Sequence, residues 1–123
     1  MPLRYQIDAE NGVVLITGSG TISDGDMILC AAGVRSDPDL TPSMPSFIDV
    51  RGVKSSVTRS GIYDLVDVME QTADRRAKAK AALLVDDKLA FGMARMLAAL
   101  TENVSPEVRV FEDEDAAHVW LGA

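Results

Sequence analysis

The sequence predicts an α/β fold, a mixed and mostly parallel five-stranded sheet with four helices in the order β-β-α-β-α-β-α-β-α. Three observations carry this. The runs VVLIT (13–17) and AALLV (81–85) are β-formers without polar alternation, as in strands covered on both faces. Between such runs lie segments whose apolar residues recur at helical spacing. Strands that alternate with helices imply parallel neighbours and right-handed crossovers, the first strand being the antiparallel exception.

Residues 3–8 (LRYQID) alternate apolar and polar, and Asn11-Gly12 then supplies a turn into the second strand. Residues 21–26 (TISDGD) open the first helix, with Ser23 as cap and Asp26 in the capping-box position. That helix carries Met27, Cys30, Ala31 and Val34 on one stripe. Residues 36–46 hold Pro38, Pro42 and Pro45 and read as a loop. Phe47, Ile48 and Val50 form a third strand that breaks at Gly52, and a helix begins near Ser60-Gly61 with Ile62, Leu65, Val66, Met69 and Ala73 on its apolar face. The cluster DRRAKAK (74–80) closes it, its cations complementing the helix dipole or forming a basic docking patch. Asp86-Asp87 offers the cap of a third helix with Leu89, Met93, Met96, Leu97 and Leu100 on one face. EVRVF (107–111) is an alternating last strand, and Asp113 caps a short helix in which Ala116/Trp120 and Ala117/Leu121 pair.

At 123 residues the chain reads as one domain with a core of its own. Aromatics make up only 5%, so aliphatics, alanine and six methionines fill the interior. The one cysteine, Cys30, permits no internal disulfide. No apolar run approaches the ~18–20 residues of a membrane span, and the start MPLRYQID lacks a signal-peptide apolar region. These features predict a soluble, cytoplasmic protein. A net charge of −7 argues against a nucleic-acid partner, which calls for a basic face.

The stretch 46–65 organises the candidate sites. Ser55, Ser56, Thr58 and Ser60 are hydroxyls at a helix start that ends in Gly61. They read either as caps and turn formers or as an anion pocket to which Arg51, Lys54 and Arg59 add charge. Asp86 and Asp87 read as a cap rather than as acid-base or metal groups, and His118, the single histidine, as an exposed residue. No G-x-S-x-G elbow and no set of metal ligands is assembled, so an enzyme is not expected and no cofactor or metal is implied. At about 100° per residue, Phe91 falls opposite the apolar face of the third helix, with Ala94 and Ala98 beside it and Arg95 adjacent. That smooth face suggests a partner surface or a homodimer. Met27, Met69, Met93 and Met96 come from three helices and read as core filler or as the lining of an adaptable apolar cavity.

Asp49-Val50-Arg51-Gly52-Val53 followed by Arg59-Ser60-Gly61-Ile62 resembles the STAS domain of anti-sigma-factor antagonists, which carry a D-L-S-G-V-like strand end and then D-S-S-G-L. VDDKLAFGMARML (85–97) and the ending Val110-Phe111 with Val119-Trp120-Leu121 resemble more closely the SpoIIAA-like branch, the small bacterial STAS/SEC14-type proteins. The resemblance spans essentially the whole chain. It implies a non-catalytic regulatory or protein-interaction module or, from the SEC14-like side, a carrier or sensor of a small nonpolar or amphipathic molecule. Thr58 stands where the family has aspartate, and Arg59 where it has the phosphorylated serine. A fixed cation is nearly the opposite of a serine that gains negative charge, which puts the phospho-switch in question.

Overall fold

The computed structural model describes residues 2–122. β1 (Leu3–Asp8) and β2 (Val13–Gly18) form the expected antiparallel hairpin, in which Leu3 faces Gly18 and Asp8 faces Val13. Its turn is held by Asp8, which accepts from the Asn11 N–H at 3.1 Å, and Gly12 takes a φ of +66° that favours glycine. β4 (Ser46–Asp49), β6 (Lys80–Leu84) and β7 (Glu107–Phe111) add in parallel, giving the order β1-β2-β4-β6-β7. The α/β class and the antiparallel first strand are as the sequence predicts.

α1 (Asp24–Ser36), α2 (Arg59–Gln71) and α3 (Lys88–Leu100) cover one face of the sheet, and α4 (Glu114–Gly122) packs on β4, β6 and β7 from the other. This is what three right-handed crossovers in one direction followed by a return produce. Strand alternation turns Ile16, Ser46, Ile48, Ala81, Leu83 and Val108 toward the three-helix layer. Phe47 and Phe111 point the other way, to the rings of His118 and Trp120 on α4. The core of the three-helix layer is Ile62, Leu65, Val66, Met69 and Leu97, with Met27, Met93 and Met96 packed against it.

The capping box of α1 is formed as predicted. The Ser23 hydroxyl accepts from the Asp26 N–H at 3.2 Å, and the Asp26 carboxylate accepts from the Ser23 N–H at 2.9 Å. Just before it, Thr21–Ile22 is a short strand (β3) rather than the start of a helix, and it pairs in parallel with Lys54–Ser55 (β5). Two residues are too few to show any period, so this ladder is invisible locally.

Two further expectations are corrected. Residues 74–80 do not simply close α2: it ends at Gln71, and Ala73–Arg76 forms a 3₁₀ turn that carries Arg76 inward to 1% exposure. On α3 the outer face is rotated from the one expected. Ala94 is buried at 5% exposure, whereas Leu89 stands out at 65%. Ala90, Met93, Ala94 and Leu97 meet the sheet and α2, because α3 docks with its small residues down so that the backbone can approach. Phe91 and Ala98 are half-buried at the margin, and exposed Arg95 lies over the Phe91 ring at 5.7 Å.

Candidate functional site

The turn from 50 to 61 is built from groups that serve one another. Arg51 bridges two acids, with Nη2 at 2.8 Å from Asp49 Oδ2 and 2.9 Å from Glu114 Oε1. That bridge lowers the Asp49 pKa and raises that of Arg51. Gly52, at a φ of +75°, donates its N–H to Asp86 at 3.0 Å. Asp87 caps α3 by accepting from the Ala90 N–H at 2.8 Å, so both adjacent acids have structural partners, in line with the cap reading. The Ser55 hydroxyl accepts from the Val57 N–H at 3.2 Å, and the Ser56 hydroxyl donates to the Ile22 carbonyl at 3.0 Å.

Thr58 is the N-cap of α2, its hydroxyl accepting from the Gly61 N–H at 3.0 Å. The carboxylate of Asp24 already sits there. It accepts from the Thr58 N–H at 2.8 Å and from the Thr58 hydroxyl at 2.6 Å, and these bonds hold its pKa below the ordinary carboxylate range. A Cβ on Gly61 would collide with that carboxylate. Of the two readings of this helix start, the geometry is that of a cap, and the carboxylate of Asp24, an anion from α1, occupies the place. Lys54, Arg59 and Ser60 remain exposed, and among the described residues the two cations have no ion-pair partner.

A second feature lies between the sheet and the three helices. It is a cavity of about 190 Å³ lined mostly by apolar groups, among them Leu3, Ile22, Ile48, Leu65 and Val108. Met27, Met69 and Met93 contribute to its wall; Met96 packs on the same core without reaching it. Of the methionines singled out from the sequence, three thus line one cavity.

At the end of the cavity where the parallel strands begin stand two arginines that the sequence reading did not single out. Arg35, in the last turn of α1, is 8% exposed; its Nη1 donates to the Ala31 carbonyl at 3.2 Å, and its Nε is buried without an acceptor. Arg76 donates through Nη2 to the Ser46 hydroxyl at 2.6 Å and through Nη1 to the Pro42 carbonyl at 3.5 Å. Burial lowers the pKa of both, and the charge of Arg35 helps to lower that of Arg76, to about 10. No carboxylate pairs with either among the described residues. One sequence signal pointed here: Ser46 has the same strand parity as Ile48, which places a hydroxyl on a buried face where it requires a partner.

His118 is exposed, as expected of it, yet its ring stacks on Phe47 with centroids 4.4 Å apart and its Nε2 lies 3.5 Å from Glu114. Among the described residues no group of three or more His, Cys, Asp or Glu side chains is placed to hold a metal ion. No helix among them is long and apolar enough to cross a membrane.

No family model matches the chain, and no curated protein matches it either. Among solved structures it is similar to an uncharacterized protein of the DUF3478 family from Shewanella loihica PV-4, which has a SpoIIAA-like fold. The two share 15% sequence identity with a TM-score of 0.60, over 97% of this chain and 91% of the other. At that identity the likeness concerns architecture alone, and with the mixed sheet and its four helices it gives this chain a SpoIIAA-like fold.

Proposed function

We propose that the protein is a non-catalytic binding module that carries or senses a small apolar or amphipathic molecule held between the sheet and the three-helix layer. The observation that supports this is the cavity of about 190 Å³, with apolar walls drawn from α1, α2, α3 and the sheet together. Interiors are close-packed with few voids larger than a water molecule, and ligand sites are concave, apolar and few. Methionine walls adapt to ligand shape at little cost. Native mass spectrometry of protein purified without detergent, followed by thermal shift against a panel of small apolar compounds, tests it. Retained mass or a raised Tm supports the reading; a bare chain unresponsive to the whole panel overturns it.

A second reading is a regulatory contact with a protein partner or a second copy through the β5–α2 turn. It is supported by Lys54 and Arg59, unpaired cations on a chain of net charge −7, and by Tyr63, which is 55% exposed on the next turn of α2. Aromatic and cationic side chains together are the usual anchors of such contacts. Phe91, Arg95 and Ala98 offer a smaller patch on α3, from which buried Ala94 is excluded. Sedimentation of the wild type beside Arg59→Glu and Phe91→Ala, with pull-down of partners, tests this. Unchanged association in both variants overturns it.

A further inference from the structure

We propose that Arg35 and Arg76 form the head-group end of the cavity, taking the carboxylate of a small amphipathic acid whose apolar body fills the rest; this rests on the ligand-binding reading above and adds the charge and size of the ligand. Both guanidiniums line the cavity, at 8% and 1% exposure, and the described residues provide no acid for either. Their acceptors are the Ala31 and Pro42 carbonyls and the Ser46 hydroxyl. Two guanidiniums have many more N–H donors than that, and Arg35 Nε is left with none to accept from it.

A purely structural clamp explains part of this. Arg76 ties the loop before β4 to the strand through Pro42 and Ser46, and Arg75 Nε donates to the Arg35 carbonyl at 3.0 Å. It does not explain why a second cation is buried at the same end of the cavity, where the charge of Arg35 disfavours that of Arg76. Burying like charges together is costly unless an anion meets them. Even with its pKa lowered to about 10, Arg76 stays cationic at neutral pH. A carboxylate would accept from both forks at once, as guanidinium geometry favours. A single negative charge also suits a mostly apolar site better than a phosphate dianion, which costs more to desolvate.

The volume sets the body of the ligand. A cavity near 150 Å³ holds the six carbons of benzene, so about 190 Å³ admits an apolar body of roughly seven or eight non-hydrogen atoms, such as the tail of octanoate or the methyl-substituted ring of toluate. Long-chain lipids exceed it.

The probes are octanoate, toluate, octanol and octylamine, titrated calorimetrically and by amide NMR into the full chain after removal of retained ligand. Octanoate or toluate should bind at least tenfold more tightly than octanol, with octylamine weakest, and Ser46 and Arg76 amides should shift first. The ratio of octanoate to toluate separates a chain from a ring as the natural body, and either preference supports the acid. The Arg35→Met, Arg76→Met double variant should bind octanol as before and lose the tenfold preference. If it does not fold, the acid-to-alcohol ratio of the wild type and of Arg35→Met alone still decides. Equal binding of octanoate and octanol overturns the head-group assignment and leaves the ligand-binding reading intact. Binding of none of the four overturns both.

Discussion

Asp24, the first residue of α1, holds Thr58, the N-cap of α2 and 34 residues beyond it, accepting from the N–H of Thr58 at 2.8 Å and from its hydroxyl at 2.6 Å. The two helices are thereby joined end to end, and the Thr58 hydroxyl passes the contact on to the Gly61 N–H at 3.0 Å. The chain supplies an internal anion where a helix dipole and free amides would otherwise attract one from solution.

Thr58→Ala should cost about 1 kcal/mol, the usual value of an N-cap. Asp24→Asn should also destabilise, and the double variant should cost less than the sum of the singles, because both remove one shared contact. Urea unfolding of the four proteins provides the cycle. Because the folded state lowers the Asp24 pKa, its contribution is present above the unfolded-state carboxylate pKa and is lost as pH falls through the folded value. Wild-type stability should therefore fall more steeply than that of Asp24→Asn on acidification below about pH 4.

Gly61→Ala should destabilise despite alanine's helix preference of about 1 kcal/mol, because the new methyl meets the Asp24 carboxylate. In an Asp24→Gly background that obstacle is gone and the same change should become neutral or stabilising. A change of sign between backgrounds, read by thermal unfolding, is the expected result.

Ser46→Ala removes the short acceptor of Arg76, buried at 1% exposure, and should cost about 1.5–3 kcal/mol. Arg76→Met in that background should recover much of the loss, since an apolar side chain of similar volume has no charge to satisfy. Chemical denaturation of the singles and the double variant checks it.

On α3, Leu89→Lys should lie within about 0.5 kcal/mol of wild type, as surface changes do. Ala94→Asp, one turn away and buried, should be severely destabilising or prevent folding. Ala94→Leu should extend into the cavity and abolish uptake of octanoate while the far-ultraviolet circular dichroism stays native. Circular dichroism melts and the titration described above separate the three.

Much of the architecture was legible because it depends on local rules. The Asn11-Gly12 hairpin, the Ser23–Asp26 capping box, the Asp87 cap and the helical stripe of α2 each need only a few neighbouring residues to express their preference. The seam of β3 with β5 was not legible, because it joins residues 21–22 to 54–55 through pairing alone. The face of α3 was misread for a related reason. Its helix is apolar nearly all round, so periodicity does not choose between a side with Leu89 and a side with Ala94; close docking on the sheet and α2 does.

The candidate site divides in the same way. Hydroxyls, cations and a glycine at 51–61 announced a helix start, and the methionines of three helices suggested a shared apolar space, to which Met27, Met69 and Met93 contribute. By sequence alone, then, the alternation of strands and helices, their caps and the apolar stock of the interior were determined, since each follows from residue type and short spacing. Only the tertiary structure decided that Asp24 would fill the anion place at α2. It also decided that Arg35 and Arg76, 41 residues apart in the chain, would share one end of a buried cavity. The burial of a charge depends on what the rest of the fold brings around it, and a basic run such as DRRAKAK carries no local mark of which cation will turn inward.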